Sequence, residues 1–103
     1  IDTIATVRLA EEIVDYIVRL VRATRASADL ECGASPRAAT LLARAACAAA
    51  ALEGRDYVIP DDVQRLAAGV LRHRVILSPA AEIEGRNVEQ VIADLVERED
   101  VPR

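Results

Sequence analysis

The chain has 103 residues, enough for one compact domain with a single core, and its 52% apolar content excludes wholesale disorder. Aromatic residues make up only 2%, with no Phe or Trp, so the core must be Ala, Val, Ile and Leu, which suits close-packed helices better than a ring-filled sheet sandwich. The formal net charge of −4 argues against a dedicated nucleic-acid binder, and because every strongly basic residue is Arg, chemistry that needs a lysine is excluded from this chain.

The first periodic segment predicts a helix from about Leu9 to Arg25. Ile13, Ile17, Leu20 and Val21 form one stripe, widened by Val14 and Val18, with Glu12, Asp15, Arg19 and Arg22 opposite. Asp15 and Arg19 stand at i, i+4 in the favourable order for a surface pair. Ala26 to Gly33 lack a sustained period and read as a connection. Ser35-Pro36 then announces a second helix, Ser as cap and Pro in the first helical position. It runs to about Glu53 and stops at Gly54. Its alanines (Ala45, Ala46, Ala49, Ala50) predict a central helix that neighbours approach closely.

Tyr57 to Ile59 read as a short extended piece, since the residue before a proline is pushed out of the helical region. Pro60-Asp61-Asp62 opens a third helix, with its acids near the positive end of the dipole. There Val63, Leu66, Ala67, Val70 and Leu71 keep amphipathic spacing. His73 to Leu77 form a second extended piece. Asn87 with Gln90 makes a capping box for a last helix, whose stripe is Val88, Val91, Ile92, Leu95 and Val96, with Pro102 ending it. The expected fold is all-α: a small four-helix bundle with one or two very short extended connections.

Cys32 and Cys47 lie far apart, with one histidine in the chain. They make neither a zinc spacing nor a disulfide framework, and both read as buried reduced thiols. No signal peptide or membrane span is expected, because the Ala-rich run is interrupted by Arg44 and is too short. The chain reads as a single domain, residues 1–103, excised from something longer.

Gly33-Ala34-Ser35-Pro36-Arg37-Ala38 is the most informative local feature. Arg37 lies at about the second residue of a helix, facing the positive end of the dipole, at a cost of roughly 0.3–1 kcal/mol on a bare surface. Free amides plus a guanidinium make an anion site, and phosphate would reverse the cost. On the residues alone, a solvated arginine bending away is the simpler account of the position.

The ordered segments resemble the lid of MoxR-type AAA+ ATPases over nearly the whole chain. The matching pieces are Asp15 to Arg25, Gly33 to Ala38, Gly54 to Val63, and Val70 to Arg74, each weak alone and specific in this order. The resemblance implies a C-terminal helical lid over a nucleotide held by an upstream α/β domain. It assigns Arg37 as the sensor-2 residue that reaches the ATP γ-phosphate and couples nucleotide state to lid position. It also implies ATP and Mg²⁺ in a parent that hydrolyses ATP, a hexameric ring of neighbouring subunits, a chaperone-like remodelling role in the cytoplasm, and partners with von Willebrand factor A domains. The client is not named by any residue.

Other positions keep two readings. Arg25 pairs within the bundle or faces the neighbouring ATPase domain. Thr40 and Arg44 share the face of Arg37 and line an inter-domain surface or are ordinarily solvated. Tyr16 reads as a core tyrosine ahead of an adenine neighbour. His73-Arg74 has no acid–base partner, so no catalytic residue is expected. A phosphate loop, Gly-x-x-x-x-Gly-Lys-Ser/Thr, cannot exist without lysine, so no ATP hydrolysis, and no bound cofactor, is expected of the fragment alone. The rivals are a free-standing helical interaction module and a helix-turn-helix DNA binder. The second is opposed by the acidic balance and by Asp61 and Asp62 at the head of its recognition helix.

Overall fold

The computed structural model describes residues 7–102. In chain order it has helix α1 (Glu11–Ala26), strand β1 (Leu30–Cys32), helix α2 (Arg37–Leu52), helix α3 (Pro60–Leu71), strand β2 (Ile76–Leu77), helix α4 (Pro79–Ile83) and helix α5 (Val88–Arg98). The all-helical expectation holds, and all four predicted helices are present.

Two clusters form the core, and α2 runs through both. At its C-terminal end Leu42, Ala46, Cys47 and Ala50 pack against Ile13, Tyr16, Ile17 and Leu20 of α1 and Val63 of α3. At its N-terminal end Ala38, with Ala34 just before it, joins Val21, Leu30, Ala67, Leu71, Val91 and Ile92. The alanines explain the arrangement. A methyl side chain lets helix axes approach closely, and Ala46 and Ala50 are completely buried. Gly54 ends the helix as expected, at φ +78°, with the Arg55 N–H returning to the Ala50 carbonyl at 2.9 Å.

Several expectations change. The connection after α1 contains β1, which pairs antiparallel with β2, Leu30 opposite Leu77 and Cys32 opposite Ile76. Three residues are too few to show a period, and only the partner defines the strand. Of the two expected extended pieces, His73 to Leu77 supplies β2, whereas Tyr57 forms an isolated parallel bridge with Arg8. In that bridge the Arg8 N–H donates to Asp56 O at 2.7 Å and the Val58 N–H donates to Arg8 O at 3.1 Å.

A fifth helix, α4, was not expected, although Ser78 caps it by accepting from the Ala81 N–H at 3.2 Å. At Ser35-Pro36 the same dipeptide behaves differently. Helix α2 begins at Arg37, no side chain caps it, and the Ser35 backbone carbonyl, not its hydroxyl, accepts from Ala38 N–H at 2.9 Å. The last helix ends at Arg98, before Pro102. Its capping box is present, with Asn87 accepting from Gln90 N–H at 2.8 Å and Gln90 accepting from Asn87 N–H at 3.0 Å. Cys47 is buried, but Cys32 is exposed; the pairing with β2 is irregular between Leu30 and Cys32, which breaks the alternation that would place Cys32 on the buried face of Leu30.

Candidate functional site

Arg37 is the first residue of α2 and is exposed. Among the described residues its guanidinium has no hydrogen-bond or ion-pair partner. The helix start beneath it offers fewer free amides than expected, since Ala38 N–H is taken by Ser35 O and Ala39 N–H by Pro36 O at 3.0 Å. Anion binding here therefore falls to the side chain, not to a ring of backbone donors.

The segment that carries Arg37 is fixed to the end of α1. Thr24, 1% exposed, donates its hydroxyl to Val21 O at 2.6 Å and accepts from the Ala34 N–H at 2.9 Å. The Ala34 carbonyl accepts from Arg25 Nε at 3.0 Å. Gly33 lies so close that an added Cβ would stand 2.6 Å from the Cα and N of Arg25, so only glycine fits between the two chains. Arg25 thus bonds a backbone carbonyl within the bundle, not an acid. Thr24 and Gly33 went unnoticed in the sequence as structural partners; only their occurrence in the matching segments marked them.

Four arginines stand around the α1–α2 junction without a carboxylate partner among the described residues: Arg22, Arg25, Arg37 and Arg44. Arg8, Arg74 and Arg98 likewise lack one among the described residues, whereas five others are engaged. Arg19 pairs with Asp15 and Glu99, Arg55 and Arg65 with Glu53 and Asp62, Arg72 with Glu89, and Arg86 with Asp29 and Asp94. A groove of about 200 Å³ runs beside Arg37, lined by Val18, Val21, Arg22, Arg25, Pro36 and Ala39. Next to it a nearly apolar groove of about 300 Å³ includes Val14, Ala39, Thr40 and Ala43. Thr40 and Arg44 are exposed one and two turns beyond Arg37, on the same helix face. The structure therefore brings Arg37, Arg25, Thr40 and Arg44 to one side.

It does not bring Tyr16 or His73 there. Tyr16 is fully buried, and its hydroxyl accepts from Gln64 Nε2 at 3.3 Å. His73 sits in an exposed turn, where its Nε2 accepts from Arg72 Nε at 3.2 Å.

The other end of α2 is held by charge. Asp62, read from sequence as a helix-start acid, is completely buried. Its two oxygens receive Arg55 at 2.7 and 2.8 Å, Arg65 at 2.9 Å and the Ile59 N–H at 3.0 Å. The Arg55 hydrogen bonds hold its carboxyl down at about 2. The same contacts raise the pKa of Arg55, and desolvation raises that of Cys47. Among the described residues no group of three or more His, Cys, Asp or Glu side chains is gathered to hold a metal ion.

The AAA lid domain family matches residues 22–95, a span that contains Thr24, Gly33, Arg37 and Asp62. The chain belongs to this family. The lid is 41% identical over 99 residues to the uncharacterized protein YeaC of Bacillus subtilis, covering 96% of this chain and 31% of that protein. It is 39% identical over 100 residues to the chaperone MoxR1 of Mycobacterium tuberculosis, covering 88% and 26%. A crystal structure of a candidate ATPase from Cytophaga hutchinsonii superposes with a TM-score of 0.90 at 36% identity, covering 99% of the lid and 34% of that chain. The lid thus spans about a third or less of the length of these proteins. It is the lid of an AAA+ ATPase related to MoxR. No helix among the described residues is long and apolar enough to cross a membrane.

Proposed function

We propose that this lid closes over a nucleotide held by an upstream α/β domain, and that Arg37 is the sensor-2 arginine that contacts the ATP γ-phosphate. The observation that carries the reading is an exposed guanidinium that has no partner among the described residues, mounted on a backbone segment locked to the neighbouring helix. An arginine at the positive end of a helix is unfavourable by itself. A bound phosphate reverses that sign, and the planar guanidinium can meet two phosphate oxygens at once. The neighbouring Arg22, Arg25 and Arg44 strengthen the positive potential on this side of an otherwise acidic chain.

ATP supplies the phosphoryl group that is lost on hydrolysis. What the lid supplies is charge neutralisation at Arg37 and, through it, a position that depends on whether the γ-phosphate is present. Among the described residues no acidic cluster is gathered for Mg²⁺, and the reading assigns the ion to the upstream domain. Thr40, Ala43 and Val14 line the apolar groove and fit the surface turned toward that domain. The single-domain reading of residues 1–103 as part of a longer ATPase accords with the share of each relative that the chain spans. A chaperone-like remodelling role in the cytoplasm, a hexameric ring and partners with von Willebrand factor A domains complete the proposal, the first supported by the likeness to a protein named chaperone MoxR1.

The test is Arg37→Ala in the full-length ATPase. ATP turnover should fall by about tenfold to a hundredfold, with the fold intact by circular dichroism. Unchanged turnover would overturn the assignment.

A further inference from the structure

Between Ala34 and Arg37 the chain has little freedom. The Ser35 and Pro36 carbonyls accept from Ala38 and Ala39 N–H, and Pro36 is held at φ −56° and ψ −26°, with its ring restricting φ. The place of Arg37 is therefore set by the place of Ala34. Ala34 is completely buried and is held at both of its backbone polar groups, N–H to Thr24 Oγ1 and C=O to Arg25 Nε. The Thr24 hydroxyl is itself oriented, because donating to Val21 O turns a lone pair toward Ala34.

We infer that Thr24 is a positioning residue for Arg37: its hydroxyl, buried where α1 ends, sets where the arginine stands toward phosphate. This rests on the reading of Arg37 given above. Valine has nearly the same shape as threonine but no hydroxyl, so Thr24→Val leaves the Ala34 N–H buried without its acceptor. The segment must then shift to find another partner, and Arg37 shifts with it. Small displacements of a group that acts on the reacting phosphate are costly in rate. Serine keeps the oxygen and loses only a methyl.

The experiment is steady-state ATP hydrolysis by the full-length ATPase in a cycle of Thr24→Val, Arg37→Ala and the double variant, with Thr24→Ser beside them. Thr24→Val should lower kcat about tenfold while changing KM for ATP by less than about twofold. Thr24→Ser should restore most of the rate. In the Arg37→Ala background Thr24→Val should slow turnover no further, because the two substitutions remove one effect. A merely structural threonine would lower the unfolding midpoint and leave kcat near wild type, or would slow turnover by the same factor with and without Arg37; either result overturns the inference. Should Thr24→Val fail to fold, Arg25→Gln removes the other hold on Ala34 and takes its place in the cycle under the same criteria. If Arg37→Ala itself turns over at the wild-type rate, the sensor reading fails and the inference falls with it. If Arg37→Ala is slow and Thr24→Val is not, the inference alone fails.

Discussion

The two ends of α2 are fixed by opposite means. At the C-terminal end, Asp62 gathers Arg55 and Arg65 in a buried ionic knot. At the N-terminal end, the Thr24 hydroxyl, the Arg25 Nε and a glycine without room for a Cβ hold the chain, and among the described residues no carboxylate takes part. The difference has a consequence for chemistry. The ionic end uses up its arginines, so they have no charge left for a ligand. The end without an ion pair, neutral in that sense, leaves Arg37 uncommitted, yet ties its backbone to α1 through Thr24 and Arg25. On the proposed reading, a phosphate-sensing lid needs stability at one end and an unspent cation at the other, and one helix offers both.

Substitutions can break this contrast at either end. The largest effect is expected for Asp62→Ala, which leaves Arg55 facing a hole; about 3–5 kcal/mol of unfolding free energy should be lost in urea denaturation. A loss under about 1 kcal/mol would mean that the knot is ornamental. Acid should act at the same end. The folded Asp62 carboxyl titrates at about 2, below its ordinary 3.8. Its contribution is therefore complete above about pH 4 and is lost as the pH falls through about 2. Unfolding free energy should drop by about 2 kcal/mol over that window in the wild type, and by the same amount in Thr24→Val, since that substitution removes no charge and lies at the opposite end of α2. An unequal drop would show that the two ends are coupled.

At the neutral end, Gly33→Ala places a methyl against the backbone of α1 and should cost about 1–3 kcal/mol by overpacking. The smallest expected difference separates the two Ser-Pro dipeptides. Ser78→Ala removes a cap that the structure contains and should cost about 1 kcal/mol, whereas Ser35→Ala should stay within about 0.5 kcal/mol. Equal losses would mean that both hydroxyls cap.

Those two serines also mark how far the sequence could be read. Periodicity and punctuation located α1, α2, α3 and α5, because an apolar stripe, a terminal glycine and a capping box are all local signals. Ser35-Pro36 and Ser78-Pro79 are the same local signal, and tertiary context sent them different ways. Pro36 already lies in the helical region and α2 starts after it, while Ser78 stays extended and caps. Strand β1 was hidden for a related reason, since its partner lies beyond α3. The proposed site could be named from sequence where a single residue stands for it, as at Arg37, and was opaque where two distant groups must meet. Thr24 finds Ala34 ten positions on, and Arg86 reaches back 57 positions to Asp29. Asp62 looked like any acid at a helix start, because burial leaves no mark on a single aspartate. Arg25 was ambiguous because its acceptor is a carbonyl, which every residue has.

The bridge between Arg8 and the Asp56–Val58 segment gives α2 a mechanical sense. The incoming chain is stitched to the loop just after the ionic end of this helix, and Arg37 stands at its far tip. Sixteen helical residues make a rod about 24 Å long. Because Thr24 and Arg25 hold Ala34, that tip moves only with α1, and turning the two helices together by about 10° about the stitched end carries it through about 4 Å. On the proposed reading of Arg37, that travel exceeds the reach of a hydrogen bond, so a modest rotation of the α1–α2 pair would make or break a contact with phosphate.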